Sequence, residues 1–384
     1  MRHKNSVFHD LQKHVPWAVF DRLVKQHGAD RRVRSLDTKS QFLALLFGQL
    51  SGADSLRAIE AGLQSHDRHL YHLGCAHVAR STLSDANRLR PAALFADLFA
   101  HMAAAASRAT RRHLRDAVRI LDATRIELTS QSAGWLATVS GHRAVKLHVA
   151  YDLAAAAPRR AELSDQRLND IVPAKAMPVE PGMTYVFDLA YYDFAWWAEL
   201  DGKGCRFVTR LKTNTRITAT AEQAVPGDAS ILSDRIGLLP QRMAASRQNP
   251  FADPVREITV AIQTGKTIRL VTNDLDAPAE EIAGLYKARW QIELFFRWIK
   301  QNLKIRRFLG TSENAVRIQI FVALIACLLI RTAHAAQKAV PQPLAFIRLL
   351  RLNLMQRRPI NQLKTMPNPP TQAQRQLSLN LQLA

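Results

Sequence analysis

The period of apolar and polar positions changes near residue 112. Before that point apolar residues recur at helical spacing, and Thr38 to Gln41 has the form of a capping box ahead of the apolar run FLALLFGQL. From Ala117 the period becomes two. In AVRILDATRIEL, Asp122 therefore shares a face with valine and isoleucine, while Arg119 lies on the opposite face. The pattern predicts a helical N-terminal part followed by strands.

More strands are predicted in the middle of the chain, and two long helices follow them. The helices are predicted from about Pro278 to Ile305 and from about Asn314 to Ala336. Strands first and helices after them indicate an α+β fold. The strand segments are AVKLHVAYDL, PRRAELSD, TYVFDL, CRFVTRLK, REITVAI and TIRLVTND.

The most apolar stretch, Ile320 to Ile330, has eleven residues, whereas a bilayer-spanning helix needs roughly 20. It predicts a buried core helix, and no membrane partner is expected. The N-terminal residues lack the apolar run of a signal peptide. The spacing of Cys75, Cys205 and Cys327 fits no zinc site, and their odd number argues against a disulfide framework. These features predict a cytoplasmic protein.

The charge of the chain is strongly positive. Lys and Arg number 53 against 32 Asp and Glu, so the net charge is +21. A surface this basic attracts polyanions, and nucleic acid is the commonest of them. An arginine-rich genome produces the same excess. From Arg297 onward, however, fourteen basic residues accompany the single acid Glu313, and this local excess favours a tract that contacts phosphates.

One helix carries a polar stripe beside its apolar face. At 100° per residue, Tyr286, Arg289, Glu293 and Lys300 fall within an arc of roughly 60°. The stripe places one carboxylate among two cations and a phenol. An exposed helix with ion pairs at i,i+4 has the same spacing, since Arg289 and Glu293 lie four residues apart.

Two aspartates in predicted strands change the interpretation of that stripe. Asp122 lies mid-strand on the apolar face, where an unpaired charge is costly to bury. Asp188 ends the TYVFD strand, a position where a lone aspartate usually forms a turn or cap. Two strand carboxylates plus the helical Glu293, in a protein of charge +21, favour a pair of Mg²⁺ ions that process phosphodiesters.

The spacing Tyr286-x2-Arg289-x3-Glu293-x6-Lys300 resembles the Y(2)R(3)E(6)K signature of the insertion-sequence-four (IS-four) family of DDE transposases. RFVTRLK resembles the basic strand of these proteins. The likeness covers about Val118 to Lys304, with a looser one in the helical N-terminal part.

Both aspartates lie in contexts that resemble those of the same family. Asp122 in LDAT resembles the first catalytic aspartate, which a threonine usually follows closely. Asp188 in FDLAYYDF resembles the second, in a block usually read as Asp-x-Gly-Tyr. Ala190 stands where that block has glycine, so this part of the pattern departs slightly from the family.

The resemblance implies a ribonuclease-H-like catalytic core over residues 113–336, a mixed five-stranded sheet with helices on both sides. It implies a β-rich insertion at about 203–267, between the second aspartate and the glutamate. A helical DNA-binding domain would occupy 1–112, although these helices taken alone also suit an ordinary bundle. A basic helical segment with a disordered tail would occupy 337–384.

The implied chemistry is Mg²⁺-dependent cleavage at transposon inverted-repeat ends, a hairpin intermediate, and strand transfer into target DNA by the freed 3′-OH. Asp122, Asp188 and Glu293 would be catalytic and would hold two Mg²⁺ ions, for which Mn²⁺ can substitute. The implied partners are double-stranded DNA and a second copy of the chain in a synaptic complex, on the bacterial nucleoid.

Five further residues are candidate DNA contacts. Tyr286, Arg289 and Lys300 would hold phosphates and bases near the cut. Arg210 and Lys212 alternate on one strand face, a pattern that suits DNA contact and equally a solvated edge strand. The side chains predicted to be structural are His142, His148, Trp196, Trp197, Trp290 and Trp298.

Two alternative functions stay open. A DNA-binding protein derived from a transposase would act without catalysis and would tolerate loss of an acid at the three sites. A related nuclease would cut without strand transfer, and it would use the same residues.

Overall fold

The protein divides into two compact units, Met1–His14 with Leu329–Ala384, and Val15–Leu328. The structure is a computed structural model, and it describes residues 5–110, 117–128, 135–136, 139, 142–225, 227, 230–242, 248–262, 265–303, 305 and 308–364. The predicted tail from Met366 lies outside these residues.

Residues 5–110 form helices, the secondary structure that the apolar spacing predicts. The cap of α3 differs from the prediction, because Asp37 and not Thr38 caps it: Asp37 Oδ1 accepts a hydrogen bond from Ser40 N at 2.7 Å. The Thr38 hydroxyl instead donates to Asp30 Oδ1 at 2.6 Å. The helices are α1 Val7–Gln12, α2 Trp17–Gln26, α3 Thr38–Ser51, α4 Leu56–Gln64, α5 Asp67–Leu73, α6 Arg80–Leu89 and α7 Ala92–Thr110.

The strands and the remaining helices follow. The strands are β1 Val118–Glu127, β2 Ala144–Asp152, β3 Ala157–Asp165, β4 Thr184–Val186, β5 Arg206–Arg210, β6 Thr218–Glu222, β7 Ile231–Leu238, β8 Val255–Ala261 and β9 Thr267–Thr272. The helices are α8 Ile171–Ala176, α9 Phe194–Gly202, α10 Ala279–Ala288, α11 Trp290–Asn302, α12 Glu313–Ala335 and α13 Pro343–Leu352.

All these strands join one mixed sheet in the order β3-β2-β1-β4-β5-β9-β8-β7-β6. Strands β1, β4 and β5 are mutually parallel, and β2 runs antiparallel to its neighbours β1 and β3. Among the described residues this sheet has nine strands, whereas five were expected for the catalytic core apart from its β-rich insertion. The reason is that β5 pairs with β9 along its second edge, so the later strands extend the sheet instead of forming a separate one.

Strands β6 and β7 are absent from the predicted strands. Every residue of β6 is exposed, so its sequence TATAE lacks the apolar face that marks a strand. In β7 the buried inward position Asp234 is charged, and it is neutralised by Arg256 of β8 at 2.6 Å. This ion pair forms only when the two strands lie side by side.

Aromatic side chains fill the core under β4 and β5. Trp196 and Trp197 of α9 are 1% and 0% exposed, which confirms that they serve packing. Their rings contact Phe187 and Phe207, with centroid separations of 4.9 Å for Trp196–Phe187 and 5.1 Å for Trp197–Phe207. This cluster supports the strand end that precedes Asp188.

Helix α12 is long and apolar enough to cross a membrane, but 83% of its most apolar window is buried within the protein. Ile320, Ile325 and Ile330 are at most 4% exposed. The prediction of a buried core helix over Ile320 to Ile330 is confirmed.

In the smaller unit, the segment around α1 is hydrogen-bonded to the segment that follows α13. The backbone amides of Val7 and Phe8 donate to the carbonyl oxygens of Gln356 and Leu354, at 3.1 and 2.8 Å. Phe346 of α13 is fully buried there, and the His334 ring lies 5.2 Å from it.

Arg119 is buried, although the alternating pattern places it on an outward face. Its side chain donates to Asp152 at 2.8 Å and to Glu180 at 3.0 Å, and the residue is 1% exposed. Arg119 and Asp152 are direct cross-strand partners in the β1–β2 register. The partner carboxylates make burial of the guanidinium possible, and a strand pattern contains no information about them.

His148 is predicted to make the protein sensitive to acid. It is 2% exposed on β2, bonds through Nε2 to Ser164 Oγ at 2.7 Å, and faces Asp170 and Lys146. Burial lowers the pKa of the His148 imidazole from 6.5 to about 4. As the pH falls, His148 is protonated in the unfolded chain before it is protonated in the folded protein. The free energy of unfolding therefore decreases between pH 6.5 and pH 4, by up to about 3 kcal/mol.

The measurement is urea unfolding of the wild type and His148→Gln at several pH values between 7.5 and 4. We expect the variant to lose about 3 kcal/mol less than the wild type over this range. Parallel pH curves for both proteins would contradict the prediction.

Candidate active site

The register of two parallel strands brings the predicted aspartates to one level of the sheet. Strand β1 pairs with β4 from Val118↔Thr184 to Ile120↔Val186. The same register, continued by two residues, sets Asp122 opposite Asp188. Because β1 and β4 run in the same direction, both carboxylates lie at the same edge of the sheet.

Each aspartate uses one oxygen to hold the local backbone. Asp122 Oδ1 accepts from the Ala123 amide at 2.8 Å. Asp188 Oδ1 accepts from the Ala190 amide at 2.8 Å and caps the short 3₁₀ turn Leu189–Tyr191. Ala190 has no positive φ, so this turn does not require the glycine of the family pattern.

The third carboxylate, Glu293, lies on α11, close to a break in the helical run. The predicted single helix from Pro278 to Ile305 is wrong, because α10 ends at Ala288 and α11 begins at Trp290. Around Arg289 the backbone bonds shorten to three residues, with Arg289 N to Tyr286 O at 3.1 Å.

Arg289 joins two of the three carboxylates. Its Nη1 donates to Asp122 Oδ2 at 3.3 Å, and its Nη2 donates to Glu293 Oε1 at 2.6 Å. The Tyr286 ring lies below it, with 5.9 Å from the guanidinium carbon to the ring centroid. The predicted stripe therefore faces Asp122. The alternative of an exposed helix with ion pairs at i,i+4 does not fit, because Arg289 is only 16% exposed.

Lys300, at the far end of the stripe, contacts the same strand as Asp122. Its Nζ donates to Thr124 Oγ1 at 2.6 Å. Thr124 was not among the predicted site residues, although its position two residues after Asp122 puts both side chains on one face of β1. An open groove of about 360 Å³ lies here, lined by Arg125, Ile126, Glu127, Lys300 and Ile305.

Arg210 and Lys212 lie at the end of β5, the strand next to β4. Both are exposed. Burial raises the pKa of the Tyr286 phenol, and the nearby charges of Arg289 and Arg210 oppose that rise. Arg210 therefore lies on the Tyr286 side of the site, while the Lys212 ammonium sits 4.4 Å from the centroid of the Tyr192 ring.

The electrostatics of the site favour a cation between the carboxylates. Burial, with a smaller contribution from the charges of Asp188 and Glu293, raises the pKa of the Asp122 carboxyl to about 6, although the Ala123 amide and Arg289 act to lower this pKa. Three carboxylates near one another repel, so a positive charge among them is stabilising.

The donor set suits a hard divalent cation, because carboxylate oxygens are the ligands that Mg²⁺ prefers. Within the described ranges, no three acidic, histidine or cysteine side chains converge at metal-ligand distance. Arg289 instead stands between Asp122 and Glu293. The residues present therefore fit the ion chemically, and holding it requires Arg289 to turn away from these two oxygens.

Trp290 differs from its predicted packing role. It is 50% exposed, and Leu294, one turn later on the same face of α11, is 45% exposed. The apolar face of α11 is formed by Ile292, Phe296 and Ile299, which point elsewhere on the helix.

Residues 113–329 match the family described as "Transposase DDE domain". Residues 3–76 match a domain of unknown function, DUF4372. A Sinorhizobium fredii (strain NBRC 101917 / NGR234) protein named as transposase y4zB is 38% identical over 288 residues, 74% of this chain and 80% of its own. A Geobacillus stearothermophilus protein named as the transposase for insertion sequence element IS5377 is 30% identical over 277 residues, 71% and 72% of the two chains.

A more distant likeness exists to the cryo-EM structure of the piggyBac transposase synaptic complex with hairpin DNA. It has a TM-score of 0.44 at 12% identity and covers 99% of this chain and 86% of that chain.

The family match and the two curated relatives define the class of protein: it is a transposase, an enzyme with endonuclease activity. Within that class, the chain belongs to the DDE transposase family, and its insertion-sequence relatives agree with the IS-four assignment. Domains of this family use divalent metal ions.

Proposed function

We propose that this transposase cuts the inverted-repeat ends of its own element with two Mg²⁺ ions and joins the freed ends to target DNA. The observation that carries the proposal is that Arg289 bonds both Asp122 and Glu293, while the charges of Asp188 and Glu293 both act on the Asp122 carboxyl. No position of this acidic set is substituted.

Asp122, Asp188 and Glu293 would hold the ions, with Mn²⁺ able to replace Mg²⁺. When bound, a pair of divalent ions lowers the pKa of water and stabilises the attacking and leaving oxygens of phosphoryl transfer. The oxygens left for this role are those not bonded to backbone, since one oxygen of each aspartate holds an amide.

The surrounding cations would hold the DNA strand across this edge. Arg289 offers a planar fork suited to a bidentate phosphate contact, and Lys300 offers a point charge beside the groove. Tyr286, Arg210 and Lys212 would extend the contact along the strand. The basic surface binds phosphates, and the acidic centre cuts one of them.

The scaffold of this chemistry is a ribonuclease-H-like core. The order β3-β2-β1-β4-β5, with β1, β4 and β5 parallel, supports it. We place the core in 113–336 with an insertion at about 203–267, a DNA-binding helical domain in 1–112 and a basic segment in 337–384. Two copies of the chain would act together on paired transposon ends. The reaction would pass through a hairpin on the excised end, and it would take place on the nucleoid in the cytoplasm.

The test uses purified protein and a labelled duplex that carries the terminal inverted repeat flanking the reading frame. We expect nicking, hairpin formation and joining in Mg²⁺ or Mn²⁺, because both ions accept an oxygen donor set. Ca²⁺ should support binding with little cutting, since its longer bonds and flexible geometry misplace the reacting oxygens.

Three results would contradict parts of this proposal. Specific binding without cutting in Mg²⁺ and Mn²⁺ would indicate a DNA-binding protein that has lost catalysis. Cutting without joining, with the 3′-OH end and target DNA present, would indicate a nuclease. Rapid cutting in Ca²⁺ would contradict the strict metal geometry.

A further inference from the structure

A carboxylate in the extended part of the sheet is completely buried between two guanidinium groups. Glu257 of β8 is 0% exposed; it accepts from Arg235 of β7 at 3.0 Å and from Arg269 of β9. Arg235 and Glu257 are direct cross-strand partners, and Arg269 is their diagonal neighbour, opposite Thr259. A buried carboxylate is held strongly by such partners, so Glu257 fixes the direction of the Arg269 side chain.

The Arg269 side chain, held in place by Glu257, is hydrogen-bonded to the segment that follows β5. Its Nη1 donates to the carbonyl oxygens of Lys212 and Thr213, at 3.1 and 3.3 Å. Its own carbonyl accepts from the Leu211 amide at 2.8 Å. One arginine therefore makes three hydrogen bonds to three consecutive residues, and this pins the backbone from which the Lys212 side chain leaves.

The other side of this segment is attached to the chain that follows Asp188. The Tyr192 hydroxyl and Thr215 Oγ1 are 2.7 Å apart. The Lys212 ammonium lies against the Tyr192 ring, and Lys212 itself is exposed. The segment after β5 is thus held between Arg269 and Tyr192. Tyr192 lies only four residues beyond Asp188, the second catalytic aspartate.

We propose that Arg269, oriented by Glu257, is a positioning residue that sets Lys212 to bind a DNA phosphate beside Asp188. The inference rests on the proposed function, in which Lys212 contacts the DNA strand. A lysine is a point charge on a flexible stem with several rotatable bonds. Fixing the backbone at its base reduces the conformational freedom that phosphate binding must remove.

The experiment is a double-mutant cycle on DNA binding in Ca²⁺, with the labelled inverted-repeat duplex, at several salt concentrations. We expect Lys212→Ala and Arg269→Ala each to weaken binding about fivefold and to reduce the salt slope by about one phosphate contact. We expect the double variant to match either single variant, because both changes remove the same contact.

Two further variants separate positioning from charge and from folding. Arg269→Lys keeps the charge but cannot fork between two carbonyls and Glu257, so most of the loss in affinity should persist. Arg235→Ala is the matched control, because it removes the other partner of Glu257 but makes no bond to the segment after β5. Its DNA affinity should stay within about twofold of the wild type.

Each alternative outcome identifies what has failed. Multiplicative losses in the double variant would mean that Arg269 contacts DNA itself, which overturns the inference. If Lys212→Ala weakens DNA binding while Arg269→Ala and Arg269→Lys bind like the wild type, the inference is overturned and the proposed function is not. Unchanged binding by Lys212→Ala would overturn both the inference and the placement of Lys212 on DNA in the proposed function.

Discussion

Replacement of Glu293 by Gln is expected to abolish DNA cleavage by this transposase while leaving DNA binding nearly unchanged. Glu293 supplies a carboxylate oxygen to the acidic set, and its Oε1 accepts a hydrogen bond from Arg289 at 2.6 Å. The amide that replaces it carries no charge, so it binds a hard divalent ion poorly. Loss of several kcal/mol of transition-state stabilisation lowers the cleavage rate on the order of 10³-fold.

Single-turnover cleavage of the labelled inverted-repeat duplex in Mg²⁺ measures the rate, and the same duplex in Ca²⁺ measures the affinity. Glu281→Gln is the matched control, because Glu281 carries the same charge in the first turn of α10 and is exposed. The control should cut at the wild-type rate. A Glu293→Gln variant that still cuts, or one that no longer binds DNA, would contradict the assignment of Glu293 as a metal ligand.

Replacement of Asp152 by Ala is expected to lower the free energy of unfolding by about 3 kcal/mol or more. Asp152 is 4% exposed and accepts hydrogen bonds from Arg119 at 2.8 Å, from the Ala155 amide at 3.0 Å and from Ser107. The variant leaves the guanidinium of Arg119 buried with its contact to Glu180 but without its second carboxylate. Removal of one member of a buried ion pair is costly for this reason.

Urea unfolding followed by tryptophan fluorescence measures the change as a lower midpoint. Glu199→Ala is the comparison variant, since Glu199 pairs with Lys203 at 2.6 Å while both side chains are about 40% exposed. An exposed pair of this kind contributes less than about 1 kcal/mol. Equal midpoints for Asp152→Ala and the wild type would show that Arg119 needs no second carboxylate.

The sequence predicted most of the secondary structure because local spacing reflects which face of an element is buried. The helices of 5–110, the strands β1 to β5 and the apolar core helix α12 each have a clear apolar face or run. The pattern failed where burial depended on a partner strand. Arg119 is buried against Asp152 and Glu180, and β7 buries Asp234 against Arg256.

The candidate site was predictable to a similar degree. Regular spacing on one helix face was sufficient to group Tyr286, Arg289, Glu293 and Lys300. The strand positions of Asp122 and Asp188 singled out these two aspartates, and the family resemblance agreed with that choice. The same spacing did not indicate that the helix breaks at Arg289. It also did not indicate Thr124 as the partner of Lys300, because that contact joins residues 176 positions apart.

The sequence by itself determined the chemistry that this transposase has available: its charge, its acidic residues, and those helices and strands that have an apolar face or run. Only the tertiary structure decided which of these groups meet. The parallel pairing of β1 with β4 brings the strand ends that lead to Asp122 and Asp188 side by side, and the packing of α11 on β1 brings Arg289 to Asp122, 167 positions away in the sequence. The pairing of β5 with β9 likewise brings Arg269 to Lys212. Such contacts depend on the free energy of packing distant segments together, which local spacing does not contain.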